Sequence, residues 1–379
     1  MKTEWIHKKL GDCCERICNG LTYDVEETQG YFVTRIETIS DGYIDYNKIG
    51  HINDKPNQDY LMVNGDILFS HINSVKHIGK VAYYDDSTEL YHGMNLLLLR
   101  ANNNIDKLFL FYLLSSDKYR RKIRTLAKSA VNQASISTTD LGKFEISYPE
   151  SLAAQRRIAA ILASADKVIA ATQKTIAKYK QIKQGMMEDL LKPKEGWKMV
   201  KLGECCEDIF SGKNTTRQDF GKYVVYGSTG PIGYSEDYEY DFDAVLVARV
   251  GANAGLVNKV SGLYDVSDNT LIIKILRNVD LNYMHYLLIR LNLNQFIFGS
   301  GQPLVTAGLL KKIEIPIPYK NNIPDLTEQR RIAAILSGID AKIAAEEKVL
   351  QKYEKVKKGL MEKLLNEQCK RKETKKTEI

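Results

Sequence analysis

One segment of this chain occurs twice. Gln155–Ala171 reads QRRIAAILASADKVIAA, and Gln329–Ala345 reads QRRIAAILSGIDAKIAA, an offset of 174 residues (329 − 155). The offset holds without a gap to Tyr179–Leu191 (YKQIKQGMMEDLL) and Tyr353–Leu365 (YEKVKKGLMEKLL). A repeat this long means the protein is built from two halves, and any fold has to place the segment twice.

Both copies read as long helices. In the first, Ile158, Leu162, Ala165, Ile169, Thr172, Ile176, Tyr179, Lys183, Met186 and Leu190 step alternately by four and three, an apolar seam with polar lapses at Thr172 and Lys183. The second seam runs Ile332, Leu336, Ile339, Ile343, Glu346, Leu350, Tyr353, Lys357, Leu360 and Leu364, with its lapses at Glu346 and Lys357. Leu152 and Leu326 open the repeats, and Ser151 and Asp325 stand before them as N-cap residues. At ~1.5 Å per residue each helix is roughly 55 Å long. Two rods of matching length, each with one apolar stripe, most simply bury those stripes on each other; the alternative is that each packs on its own globular half.

A chain of 379 residues with 44% apolar content accommodates two or three domains with real cores. The net charge of +7 permits nucleic acid as a partner without demanding it. Residues 368–379 are charged and non-periodic, and read as a disordered tail. The N-terminal residues carry charge without an apolar core, and no run approaches the ~18 apolar residues of a membrane span. The expectation is a cytoplasmic protein, not associated with a membrane, whose six cysteines stay reduced.

A second pair of repeats opens the halves. Trp5–Gly20 (WIHKKLGDCCERICNG) matches Trp197–Gly212 (WKMVKLGECCEDIFSG), adjacent cysteines included. Zinc is the sharp hypothesis, but the spacing is C-C rather than C-x-x-C and the second copy has no nearby histidine. Buried structural thiols are the reading adopted, and no metal is expected. The ends of the bodies align as well: Gln133 through Leu141 with Gln302 through Leu310, and Phe144–Pro149 with Ile313–Pro318, both at an offset of 169. The middles agree only in pattern. Val63–Ser70 and Phe242–Ala248 read as buried strands, Gly79–Tyr83 and Gly255–Val260 as short strands after Gly-containing turns, and Lys107–Leu126 and Asn282–Phe298 as helices.

The predicted fold is therefore α+β: two α/β bodies joined by two long helices in an intramolecular antiparallel coiled coil, with pseudo-two-fold symmetry; the short linkers favour pairing within one chain, and a swapped dimer has the same pattern. The boundaries are 1–150 for the first body, 151–192 for its helix, 193–324 for the second body, 325–367 for the second helix and 368–379 for the tail. The bodies would sit at opposite ends of a rod.

No catalytic centre is legible. No two prolines are adjacent, so the N-P-P-[FYW] turn of amino-methyltransferases is missing. Neither G-x-x-x-x-G-K-[ST] nor G-x-S-x-G occurs. The glycine clusters Gly227–Gly233 and Gly251–Gly255 lead into no helix with a lysine, and read as turns between strands. What remains is surface chemistry suited to DNA, whose base edges are read by Arg, Lys, Asn, Gln, Ser and Thr and whose phosphates are held by Lys, Arg and backbone N–H. The first body offers Arg35, His71, Asn73, Lys76, Lys80 and Gln133; the second offers Arg217, Tyr226, Ser228, Arg249, Asn253, Asn269 and Gln302. The case rests on their accumulation in loops of both halves.

The repeated W-x4-LG opening, the body ending in I-x-[IY]-P and the helix beginning QRRIAAIL resemble the specificity subunit of type I restriction–modification systems. Val225–Asp237 (VYGSTGPIGYSED) and Val247–Asn258 (VARVGANAGLVN) also look like a common version of that family's target-recognition domain. The resemblance covers nearly the whole chain apart from the tail. It implies that each body reads one half of a split DNA sequence, and that the paired helices act as a spacer. It also implies that the helices dock two modification subunits carrying S-adenosylmethionine, which methylate adenine, and that two restriction subunits using ATP and magnesium can join. On that view this chain holds no cofactor and no catalytic residue. Arg156, Arg157, Lys174 and Lys178, with Arg330, Arg331, Lys348 and Lys352, are the candidates for subunit docking. Because the bodies' middles are where family members differ, no base preference carries over. Two other classes fit less well: a standalone DNA-binding regulator or decoy, which would bind its site tightly alone, and a coiled-coil assembly protein without salt-dependent DNA affinity.

A helical spacer between two readers fixes the gap they recognise. Four residues inserted into either helix, about one turn and ~6 Å, are expected to change the gap in the methylated motif; motif sequencing checks this, and an unchanged gap sinks the ruler.

Overall fold

The computed structural model describes residues 4–39, 42–85, 88–130, 133–296 and 304–366, with the backbone only at 129, 130 and 133. The tail, Cys369 and Gln302 fall outside the described residues.

Each body is built on a four-stranded antiparallel sheet with one strand order. In the first the order is Cys14–Asn19, Leu97–Ala101, Ile67–Phe69, Val81–Tyr83; in the second it is Cys206–Ser211, Thr270–Ile275, Ala244–Ala248, Val257–Val260. Side chains alternate across a strand, so an uninterrupted apolar run means that both faces are covered. Ile67 and Phe69 face one core, while Leu68 between them faces another; Val245 and Val247 likewise part from Ala244 and Leu246. The larger core on one face of each sheet receives the body's helices.

The opening and closing repeats prove to be partners. Trp5–Lys9 lies antiparallel to Glu145–Pro149, with Trp5 opposite Pro149, and Trp197–Lys201 lies along Glu314–Lys320, with Trp197 opposite Pro318. The glycine ending each opening repeat is a close-approach site: a Cβ on Gly20 would overlap the carbonyl of Gly93, and one on Gly212 the carbonyls of Val266 and Ser267. Cys13 and Cys205 are buried in the two larger cores, and burial pushes the Cys205 thiol up to about 11 and those of Cys14 and Cys206 to about 12. They are protonated packing groups.

The Lys107–Leu126 stretch forms two helices rather than one, Lys107–Ser115 and Asp117–Arg124. Ser116 takes an extended conformation (φ −67°, ψ 145°) and serves both, donating to the Leu113 carbonyl and accepting from the Tyr119 N–H. In the second body the helix is Leu281–Arg290, followed by a 3-10 turn at Leu293–Phe296, because Asn292 adopts φ +46°.

The long helices are Leu152–Leu190 and Leu326–Leu364. Ser151 Oγ accepts from the N–H of Ala154, and Asp325 Oδ1 from the N–H groups of Thr327 and Glu328, as caps should. Contacts divide the chain into two compact units, one running to Ala171 and resuming at Leu350, the other Thr172–Val349. The units thus cut across both helices, unlike the sequence boundaries, because each helix end is part of a body's core. Ile158, Ala159 and Leu162 enter the first body's core together with Leu365; Ile332, Ala333 and Leu336 enter the second with Met187 and Leu191. Helix-on-helix and helix-on-body packing, weighed as alternatives from the sequence, are both present. Within the second unit Lys180 pairs with Glu347 (2.9 Å) and Lys183 with Asp340 (2.7 Å), so the helices run antiparallel there. Tyr353, assigned to the seam, is instead exposed.

Buried glutamines fasten each helix start. Gln155 Oε1 accepts from the Asp106 N–H and its Nε2 donates to the Pro149 carbonyl; Gln329 Oε1 accepts from the Asp280 N–H. Asp106 and Asp280 are the N-caps of the body helices, so one residue joins long helix to short.

Leu162 is fully buried, whereas its neighbour Ile161 is 38% exposed. Leu162→Ala is expected to cost about 2–5 kcal/mol and Ile161→Ala about 1 kcal/mol or less, read from urea midpoints.

Candidate nucleic-acid interface

In the second body, loops from separate parts of the chain line one open cleft of about 500 Å³. Its walls include Arg217, Ser228, Asn253 and Asn269, four of the residues singled out from the sequence, with Asn214 and Thr229 among the rest. The cleft exists because the sheet strands end here. Tyr223–Gly227 turns at Ser228 and Thr229 into Gly230–Ser235, and Gly230 takes the φ of +108° the turn requires. Ser228 Oγ donates to the Asn269 carbonyl at 3.2 Å, which holds this turn against the one entering Thr270–Ile275. Asn214 Oδ1 accepts from the Thr216 N–H (2.7 Å), an Asx turn, and its amide is held by the Asp265 carboxylate. Arg217 and the side chains of Asn253 and Asn269 are exposed. The walls are donors and acceptors with one guanidinium, Arg217, and one carboxylate, Asp268, groups of the kind that pair with base edges.

Two residues of the same set do something else. Tyr226 is half-buried, its ring edge-on to Tyr264 (5.9–6.3 Å being the range of such contacts in this aromatic group, 6.1 Å here), and it packs against the smaller core. Arg249 leans back on Ser211 Oγ at 3.4 Å, while its backbone binds the Asn269 carbonyl and the Val305 N–H.

In the first body the set is less convergent. Asn73 lies in the short strand Ile72–Asn73, opposite Ala134, which brings it beside the Gln133 backbone; the Gln133 side chain lies outside the described residues. Lys76 is exposed on the following turn, and its carbonyl accepts from Arg124 Nη2. Lys80 is half-buried beside Arg120 in a cleft of about 140 Å³. Arg35, on a different loop, has its Nε 3.9 Å from the Glu37 carboxylate. His71 is 7% exposed and burial lowers its pKa to about 4, so it is a neutral interior imidazole rather than a surface reader. Its backbone position corresponds to that of Arg249: the His71 carbonyl accepts from the Ile136 N–H as that of Arg249 does from Val305.

On the long helices, Arg156, Arg157, Lys174, Lys178, Arg330, Arg331, Lys348 and Lys352 are all exposed. Three have intramolecular work: Arg156 and Arg330 approach Asp106 and Asp280 (3.7 and 4.0 Å), and Arg331 forms a two-bonded pair with Glu328. Sequence reasoning passed over a stripe of exposed apolar residues, Ile161, Val168 and Ile182 on one helix and Val349 and Val356 on the other, whose sevenfold spacing was legible. It also passed over Asp166 and Asp340, which hold the seam lysines.

The model of the type I restriction modification DNA specificity domain matches this chain twice, over residues 2–182 and 194–355. The chain is 34% identical to the putative type I restriction enzyme MjaX specificity subunit of Methanocaldococcus jannaschii, across 96% of this chain and 93% of that one. It is 26% identical to the MjaVIII specificity subunit of the same organism, across 71% of each. Among solved structures, the type I restriction–modification S subunit from M. genitalium superposes with a TM-score of 0.65 at 18% identity, over 97% of both chains. A chain from a structure of complex assembly and conformational transition in the type I R-M system gives 0.58 at 18% identity, over 96% of this chain and 98% of that one. The two halves share one sheet order and one duplicated helix, in keeping with the twofold match. The chain belongs to the type I restriction–modification DNA specificity family.

His71, His92 and His285 are each held neutral by burial, with pKa values lowered to about 4 from 6.5. Unfolded imidazoles take up protons below about 6.5 and the native ones do not until about 4. Stability is therefore expected to fall as pH drops from about 6.5 towards 4. Urea midpoints between pH 7.5 and 4.5 check this, and His71→Gln should flatten the dependence.

Proposed function

We propose that this chain reads a split double-stranded DNA site, one half-site per body, and directs partner subunits to it. The observation that carries the reading is the cleft of the second body, where Arg217, Ser228, Asn253 and Asn269 converge from four loops on one open surface. The family match to each half supports one reader per half. The likeness to the MjaX and MjaVIII specificity subunits supports a role within a restriction–modification complex.

The chemistry belongs to the partners. Two modification subunits carrying S-adenosylmethionine dock on the long helices and methylate adenine, and two restriction subunits with ATP and magnesium can complete the complex. The exposed basic residues Arg157, Lys174, Lys178, Lys348 and Lys352, together with the apolar stripe through Ile161, Val168 and Ile182, supply polar and apolar contacts for such docking. This chain contributes addresses rather than a catalytic group, and it works in the cytoplasm with the DNA. No helix among the described residues is long and apolar enough to cross a membrane.

The test is methylation sequencing of DNA from a clean host that expresses this chain with the modification subunit encoded beside it, and with each alone. A split motif methylated only when both are present supports the reading; unmodified DNA despite a soluble complex favours a regulator or decoy. Arg217→Ala or Asn253→Ala is then expected to relax or weaken one half-site by roughly 5–150-fold, as about 1–3 kcal/mol per base contact implies, leaving the other half-site unchanged. Loss of both half-sites together would count against separate readers.

A further inference from the structure

Two polar networks occupy the same place in the two halves. In the first, Tyr112 donates to Asp166 Oδ2 at 2.7 Å, while Lys357 Nζ lies 2.5 Å from Asp166 Oδ1 and 5.8 Å from the centre of the Tyr112 ring. In the second, Tyr286 donates to Asp340 Oδ2 at 2.7 Å, while Lys183 Nζ lies 2.7 Å from Asp340 Oδ1 and 5.2 Å from the Tyr286 ring. Each member is 174 residues from its counterpart: 112 and 286, 166 and 340, 183 and 357. One carboxylate therefore ties three elements together: a body helix through its tyrosine, one long helix through the aspartate, and the other long helix through a lysine. The long helices exchange roles between the halves.

These groups are poor choices for stability alone. Lys183 and Lys357 occupy seam positions where an apolar residue would pack, and partly buried ion pairs are often matched or bettered by hydrophobic replacements. A polar residue in a helical seam instead selects one register. The geometry fits that use. Asp106, which the buried Gln155 binds, caps the helix that carries Tyr112, and Asp166 lies 11 residues beyond Gln155 (166 − 155) on the long helix, ~16 Å along it. The short helix is thus fastened to the long one near both its ends. Asp280, Gln329, Tyr286 and Asp340 repeat the arrangement, with Ser337 Oγ a further 3.2 Å contact of the Tyr286 hydroxyl. Apolar contacts between the fasteners permit sliding and rocking; the directional bonds do not.

We propose that Tyr112–Asp166–Lys357 and Tyr286–Asp340–Lys183 are positioning networks that fix the setting of each body on its helices, and so the number of base pairs between the recognised half-sites. This rests on the reading of a split DNA site given above. One base pair is ~3.4 Å of rise and about 35° of rotation, so a reader allowed to rock blurs the gap before it loses its bases.

The experiment uses the complex with the modification subunit and a library of duplexes carrying both half-sites at gaps from two base pairs too short to two too long. The wild type should methylate one gap. The double variant Tyr112→Phe with Tyr286→Phe, which keeps both rings, is expected to lose roughly tenfold in the ratio of correct to neighbouring gaps, the scale of a hydrogen bond to a charged group. Base preference within each half-site should be unchanged. Asp166→Asn with Asp340→Asn should do the same, and carries the test if the phenylalanine pair yields no soluble complex. Lys183→Arg with Lys357→Arg, which keeps the charge, should retain the wild-type ratio. The proposal is overturned if folded variants keep full gap discrimination, or if methylation falls equally at all gaps, as a merely structural role would give. A wild-type complex that methylates no split motif removes the underlying reading as well, whereas a split motif with unaltered variants removes only this inference.

Discussion

A helix of 39 residues with a single apolar stripe is held by what covers the stripe, since backbone hydrogen bonds alone leave isolated helices marginal in water. In this protein the cover changes along the helix. The start of each long helix is buried in the core of the body that precedes it, at Ile158 and Leu162 or at Ile332 and Leu336, and the end of the other long helix enters the same core at Leu365 or at Met187 and Leu191. Each body therefore needs both helices to complete its interior. Two copies of the segment are the minimum that satisfies two bodies, and the duplication follows from packing.

The same constraint explains where the two halves agree and where they differ. Strand order, the ribbon pairing Trp5 with Pro149 and Trp197 with Pro318, and the buried glutamines recur in both halves because they make the surface on which the helices sit. Away from it the bodies differ. The first adds the two-stranded sheet Tyr31–Val33 with Gly50–Ile52 around Leu21, Val33 and Tyr91, and the second adds the three-stranded sheet of Tyr223–Gly227, Gly230–Ser235 and Tyr264–Val266. In the second body, Ser228 and Asn269 of the cleft lie on loops of this added sheet, whereas Asn253 lies on the loop between Ala244–Ala248 and Val257–Val260 of the shared one.

The polar lapses in the helix seams belong to this joint. Taken as interruptions of a heptad they look like defects, and burial of Lys183 and Lys357 against Asp340 and Asp166 costs solvation. Burial and then the aspartate hydrogen bond raise the phenols of Tyr112 and Tyr286, so each remains a proton donor to its carboxylate. Direction, rather than strength, is what such bonds add to an apolar interface.

The sequence by itself determined the two halves, the two long helices, the caps at Ser151 and Asp325, and the strands within Val63–Ser70 and Phe242–Ala248. Those features are periodic or repeated, and periodicity reports local geometry directly. Only the tertiary structure decided which loop residues share a cleft, because Arg217, Ser228, Asn253 and Asn269 are brought together by sheet ends distant in sequence. It also turned His71 and Tyr226 inward, since one residue's shift along a strand or turn exchanges surface for core. The partners of Asp166 and Asp340 were the last thing hidden: an ion pair between helices depends on their relative register, and a repeat shows that register matters without saying what meets what.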